Sequence, residues 1–198
     1  MGKGKVTRDM ILGKAAALFN SRGYFGASMS DVMSATGLEK GGIYNHFLSK
    51  DQLALEAFDY AFETASAIFK EKIAEHDKAI DKLIAFVDCF KNTASDPPIP
   101  GGCPLLNSAV ESDDGHPEMK LRVMKAMDAV LATAEALVRK SIEEGDIEPE
   151  ANPQAIARSF VAGLEGAIML TRLYSDTQYM ESVASGILNQ IETLRIKR

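Results

Sequence analysis

The residues best suited to chemistry cluster between positions 40 and 46. They are Lys40, Tyr44, Asn45 and His46. Ammonium and hydroxyl groups of this kind bind phosphate, and an asparagine amide reads the edge of a base. Gly41 and Gly42 lie among them, although each costs about 1 kcal/mol relative to alanine inside a helix. Close approach to a phosphate backbone is a reason to keep them. Catalytic sets are missing. Cys103 and His116 would suit a thiol enzyme, but no Asp or Asn orienting partner is identifiable. The three histidines, His46, His76 and His116, are too far apart for a metal centre. No Gly-rich phosphate loop occurs. The sequence therefore reads as a non-enzyme with no cofactor and no metal.

The elements around these residues have the layout of a helix-turn-helix, whose second helix enters the major groove. Ser28 and Asp31 stand three apart, as in a capping box, and open a supporting helix that runs to Thr36. Gly37 supplies the tight turn, because glycine accepts left-handed dihedrals without steric cost. Lys40 to Phe47 is the expected recognition helix. Ile43 and Phe47, four apart, would anchor it to Phe19 and Val32. Its opposite face would then show Lys40, Tyr44, Asn45 and His46.

The rest of the chain is also helical. Strand-like alternation and hairpin signals are absent. Ile11, Ala15, Leu18 and Phe19 make a helical stripe from Thr7 to Arg22, with Gly23 as its stop. Ser49-Lys50-Asp51-Gln52 opens a long helix that carries Leu53, Ala57, Ala61, Phe62, Ala65, Phe69 and Ile73. Further helices are expected over about 78–93, 103–111, 118–144, 153–174 and 177–194. Pro97, Pro98 and Pro100 break one connection, and Gly145 closes another. Pro153 fits a first helical position. The reading is all-α with about nine helices: a three-helix head, a long connecting helix and a C-terminal bundle. The domains would be 1–53 and 54–198.

Charge supports that division. The net charge is −6 over 198 residues, which alone argues against a nucleic-acid binder. Residues 1–53 nevertheless hold seven bases against four acids, and 54–198 hold 15 against 24. A head of +3 on a body of −9 suggests that the head meets a polyanion. Lys3 and Lys5 would add phosphate contacts from the basic start. No apolar run reaches the roughly 18 residues of a membrane span, and no signal peptide follows the basic start. Two cysteines make no disulfide framework. The expectation is a soluble, reduced, cytoplasmic protein without a membrane partner.

The segment Gly37-Leu38-Glu39-Lys40-Gly41-Gly42-Ile43-Tyr44-Asn45-His46-Phe47, followed by Ser49-Lys50-Asp51-Gln52-Leu53, resembles the N-terminal domain of TetR/AcrR transcriptional regulators. The likeness covers about residues 7–53. It implies that Lys40, Gly41 and Tyr44 contact DNA backbone or bases, and that His46 lies near phosphates. It makes Lys50 a phosphate contact and places Ser28 and Ser30 where the supporting helix meets phosphate. Leu38, Glu39, Gly42 and Asn45 would set the operator sequence. Glu39 departs from the pattern toward negative charge. The partners implied are a palindromic double-stranded operator, a second copy of the chain and a small-molecule effector that releases a repressor.

The body is less specific. Residues 155–170 are apolar nearly all round, and the resemblance implies a four-helix dimer interface from the last two helices. Phe160, Gly163, Ala167, Val183, Ile187 and Ile191 are its candidates. Phe62, Phe90, Cys103, Asn107, Met127, Glu165 and Met169 are the effector candidates, since Met and Phe suit adaptable apolar pockets. Glu165 and Arg172 are seven apart and would share a face. Gly102-Cys103, followed by Ala109-Val110-Glu111, is similar to a branch of TetR-like regulators, some of which sense electrophiles or oxidants. A thiol-based response through Cys103 is thus the alternative to a reversible ligand. An architectural DNA binder without an effector is a further class.

Overall fold

The protein is described by a computed structural model covering residues 3–196, and side chains from Gly4 onward. The Lys3 side chain, a candidate phosphate contact, lies outside the described residues. The described residues form nine helices: α1 (Lys3–Arg22), α2 (Met29–Thr36), α3 (Lys40–Tyr44), α4 (Lys50–Ala74), α5 (Ala79–Ser95), α6 (Pro104–Ser112), α7 (Pro117–Glu143), α8 (Pro153–Tyr174) and α9 (Gln178–Leu194). Extended pairing among them amounts to one isolated antiparallel bridge, Ile147 with Arg195. The chain divides into two compact units. One holds Met1–Ala65 and Pro98–Met124, the other Ser66–Pro97 and Lys125–Arg198. No described helix is long and apolar enough to cross a membrane.

The first unit is organised around short, sharply terminated helices. The α1 stripe buries Ile11, Leu12, Ala15, Ala16 and Phe19. Helix α1 begins at Lys3 and not at Thr7. It stops at Gly23, whose φ of +78° is left-handed. The expected capping box at Ser28 is present, and Gly37 ends α2 at φ +71° with its N–H donated to Met33 O. Val32, Ile43, Phe47 and Leu53 are buried, so both short helices are anchored on apolar side chains. Each large side chain so buried contributes roughly 1.5–3 kcal/mol.

In the second unit, α8 packs against α5 and α9. The core includes Leu83, Phe86, Phe90, Phe160, Leu164, Ile168, Ala184, Ile187 and Ile191. Asn152 caps α8 by accepting from Ala155 N at 3.0 Å, ahead of Pro153.

Candidate nucleic-acid interface

The entry to α2 is fixed by reciprocal bonds. Ser28 Oγ accepts from Asp31 N at 3.2 Å, and Ser28 N donates to Asp31 Oδ2 at 2.8 Å. The hydroxyl also donates to that carboxylate at 2.6 Å. These bonds, with a smaller contribution from Arg22 at 2.9 Å, hold the Asp31 carboxyl below its ordinary range. The Ser28 hydroxyl is therefore engaged in the cap. Ser30 is exposed at the second position of the helix.

Helix α3 presents Lys40, Gly41 and Asn45 to solvent, while Gly42, Tyr44 and His46 are half-buried. The Lys40 ammonium lies 5.6 Å from the Tyr44 ring centre, within cation–π reach. The helix is shorter than expected and ends at Tyr44. His46 N donates to Ile43 O at 2.9 Å, a 3₁₀-type bond that tightens the last turn and releases the chain. His46 and Phe47 thus lie beyond the helix, although Phe47 stays buried beneath it. A Cβ at Gly41 would meet nothing within 4 Å, and one at Gly42 would rest 3.6 Å from Leu38 Cβ. Folding demands neither glycine.

Lys50 begins α4 just after this turn, and its ammonium points inward. It donates to Tyr24 O at 2.6 Å and sits 4.2 Å from the Tyr24 ring centre. The Tyr24 hydroxyl donates to Asp51 Oδ1. Burial first, then that bond and the Asp51 charge, push the Tyr24 phenol up to about 12. Lys50 was expected to serve as a phosphate contact, and one of its donors is already committed.

Three residues of this cluster have roles that the sequence does not mark. Arg8 lies 4.8 Å from the Phe47 ring centre and pairs with Glu56. Tyr24 organises the Lys50–Asp51 corner. Glu111 accepts from the backbone N–H groups of Tyr24 and Phe25, at 2.7 and 3.0 Å. Nothing local marks these roles, since the partners are distant in sequence.

The head matches the family described as bacterial regulatory proteins, tetR family, over residues 11–57. Residues 79–187 match the tetracyclin repressor-like C-terminal domain, which is more than half of the chain. The chain belongs to the TetR family. It is similar to a TetR transcriptional regulator from Chloroflexus aurantiacus J-10-FL, with 44% identity, full coverage of both chains and a TM-score of 0.96. A TetR-family regulator from Cytophaga hutchinsonii is 29% identical, with 100% and 99% coverage and a TM-score of 0.92. The HTH-type transcriptional regulator YxaF of Bacillus subtilis strain 168 is 27% identical over 186 residues, which is 91% of this chain and 93% of that protein. This chain is thus a TetR-family transcriptional regulator with a DNA-binding helix-turn-helix.

Several of this TetR-family chain's effector candidates have other settings. Asn107 Nδ2 lies 2.9 Å from both Asn20 O and Asn20 Oδ1, and 2.8 Å from Gly101 O. It is fastened to the head. Met169 is 49% exposed and Arg172 is exposed, whereas Glu165 is buried, so Glu165 and Arg172 do not share a setting. Phe62 stacks on Phe58, and Phe90 packs against Phe69 and Phe86. Met127 is half-buried. Cys103 occupies the N-cap of α6, makes no side-chain cap bond and is 7% exposed. Two hollows lie within single units. One of about 30 Å³, beside Phe19, Tyr24, Phe58, Glu111 and His116, has room for about one water. A groove of about 270 Å³ lies beside Lys72, Glu75, His76, Asp88 and Cys89. None of the seven effector candidates lines either. Among the described residues no group of His, Cys, Asp and Glu could hold a metal ion.

Four of the six dimer candidates belong to the chain's own core. Phe160, Ala167, Ile187 and Ile191 are buried within one chain. Gly163 and Val183 are half-buried, and a Cβ at Gly163 would stand 3.5 Å from Val183 Cγ1. A helix apolar nearly all round does not disclose which face meets its own subunit. The outward face of α8 carries Ala162, Gly166, Met169 and Leu173, and that of α9 carries Ser182, Gly186 and Thr193.

Proposed function

We propose that this regulator is a homodimeric repressor that holds a palindromic operator and releases it when a small molecule binds. The observation that carries the reading is the α3 surface. Lys40, Gly41 and Asn45 are exposed together, and the Gly41 position has open space where a side chain would fit. Lys40, Tyr44, His46 and Lys50, with Ser28 and Ser30, position the head on phosphates. Asn45 reads a base edge, and Gly41 and Gly42 allow close approach.

Dimerisation is supported by the outward faces of α8 and α9. Gly166 and Gly186 have nothing within 4 Å of an added Cβ. Each glycine costs a helix about 1 kcal/mol relative to alanine, and a partner helix packed close would account for both. Two half-sites on the operator then match two heads. The Phe69–Phe86–Phe90 cluster, of which Phe86 and Phe90 are buried, and the buried Glu165 carboxylate support an effector with an apolar body. The repressing sign follows the description of the C-terminal family. The setting is the cytoplasm, where the operator is.

Selection and sequencing of genomic fragments bound by the purified protein tests this reading, with Tyr44→Ala run alongside. The expected result is a palindrome enriched by the parent and lost in the variant. Equal enrichment by a correctly folded Tyr44→Ala protein would remove α3 from the interface.

A further inference from the structure

The first unit contains a polar joint between α6 and the head. Asn20 Nδ2 donates to Pro100 O at 3.0 Å and Gly102 O at 2.9 Å. The two hydrogens of Asn107 Nδ2 are shared among Asn20 O, Asn20 Oδ1 and Gly101 O. Gly101 has φ +112°, and a Cβ there would come within 2.4 Å of Asn20 O. One turn beyond Asn107, the Glu111 carboxylate receives the N–H groups of Tyr24 and Phe25. Gly23 makes room for it, since a Cβ there would stand 2.4 Å from Glu111 Oε1. Bonds from backbone N–H to a carboxylate are stronger than neutral ones. The other side of Tyr24 holds Lys50 through its carbonyl and ring, and Asp51 through its hydroxyl.

We propose that Glu111 is a positioning residue for DNA binding: from α6 it fixes the Tyr24–Phe25 turn, and through Tyr24 it sets the Lys50 ammonium at the start of α4. This deepens the reading above and rests on Lys50 serving the DNA interface. Glu111 touches no DNA itself. Its carboxylate is the link between α6 and the first residue of α4, which directly follows the α3 turn.

The test uses the full-length protein, the variants Glu111→Gln, Glu111→Ala and Lys50→Ala, and the double variant Glu111→Ala/Lys50→Ala. The probes are a duplex selected by the parent from a random library and a mixed-sequence duplex at low salt. Glu111→Ala should weaken both complexes about tenfold. Glu111→Gln keeps one acceptor and should lose less. The double variant should lose no more than the larger single loss, as expected for residues acting through one another. Parent-like binding by Glu111→Ala, or losses that multiply, would overturn the proposal.

Amide hydrogen exchange gives a readout independent of DNA. Glu111→Gln should speed exchange at Tyr24 and Phe25 and also along Lys50 to Leu53. Faster exchange confined to Tyr24 and Phe25 would reduce Glu111 to a local cap and also overturn the proposal. Should the parent bind neither duplex, the DNA role of Lys50 fails, while exchange still decides the joint.

Discussion

The Lys50 ammonium donates to the Tyr24 carbonyl oxygen at 2.6 Å and lies 4.2 Å from the centre of the same residue's ring. An ammonium has three donors, so two remain for phosphate. A point charge held this way contributes affinity without reading sequence. Lys50→Ala should weaken binding to all duplexes by a similar factor and reduce the salt slope by about 0.9. Asn45→Ala should instead change the preferred sequence. Titrations of both variants against a panel of duplexes at several salt concentrations check this. A changed preference in Lys50→Ala would defeat the division into positioning and reading.

Tyr24 should ionise well above the ordinary tyrosine range. Its phenol is pushed from 10.0 up to about 12, mainly by burial and then by Asp51. A raised folded value favours the neutral form in the native state. The resulting stability is intact below pH 10 and is lost as pH climbs from 10 toward 12. Ultraviolet titration should show a late-ionising component that disappears in Tyr24→Phe. Asp51→Asn should bring it down only in part, since burial is the larger cause. A wild-type titration with no late tyrosine would contradict the Tyr24–Asp51 pairing.

Gly41→Ala separates folding from function. The Cβ meets nothing within 4 Å, so the substitution should stabilise the protein by roughly 0.5–1 kcal/mol. The added methyl stands on the exposed face of α3 and should impair operator binding. Thermal melting should therefore rise while affinity falls. A variant that is more stable and binds as the parent does would show that DNA does not approach Gly41 closely.

The two thiols should resist alkylation in the folded protein. Cys89 is 4% exposed, and burial first, then Asp88, pushes its thiol up to about 11. The thiolate is the reactive form, so at neutral pH Cys89 should react only after unfolding. Cys103, at 7% exposure, has little access to reagent. Iodoacetamide labelling of Cys89→Ala followed by mass spectrometry isolates Cys103. Rapid labelling of that thiol in the native state would favour the electrophile-sensing alternative over a reversible ligand.

Much of the fold was legible because its stops and starts are local. Ser28 with Asp31, Gly37, and Asn152 with Pro153 each satisfy or end a helix using neighbours a few residues away. The expected limits of α8 and α9 fall within a residue of those observed. The exposure of Lys40, Gly41 and Asn45 was also recoverable, because a short anchored helix leaves one face outward. The joint was not. Asn107 meets Asn20 across 87 positions, and Glu111 meets Tyr24 across another 87. No periodicity announces such a pair, and a polar residue inside an apolar stretch suggests a ligand contact equally well. The face of α8 that would meet a partner was not legible for a related reason: Ala and Gly on both sides make the helix look alike to its own core and to a partner.

The two faces of α8 give the sharpest test of the dimer. Phe160 is fully buried among the chain's own helices, so Phe160→Ala should cost about 3–5 kcal/mol through lost burial and a cavity. Gly166 has open space around it, so Gly166→Glu should leave the subunit folded. A carboxylate there would be buried without a partner in a close helix contact, which is unfavourable by several kcal/mol per ion. Sedimentation and melting measured together distinguish the two. Gly166→Glu should run as a folded monomer, whereas Phe160→Ala should lose stability whatever its mass. A Gly166→Glu protein that sediments as the parent dimer would exclude this face of α8 from the interface. An interface on another surface would then have to supply the second head that a palindrome requires.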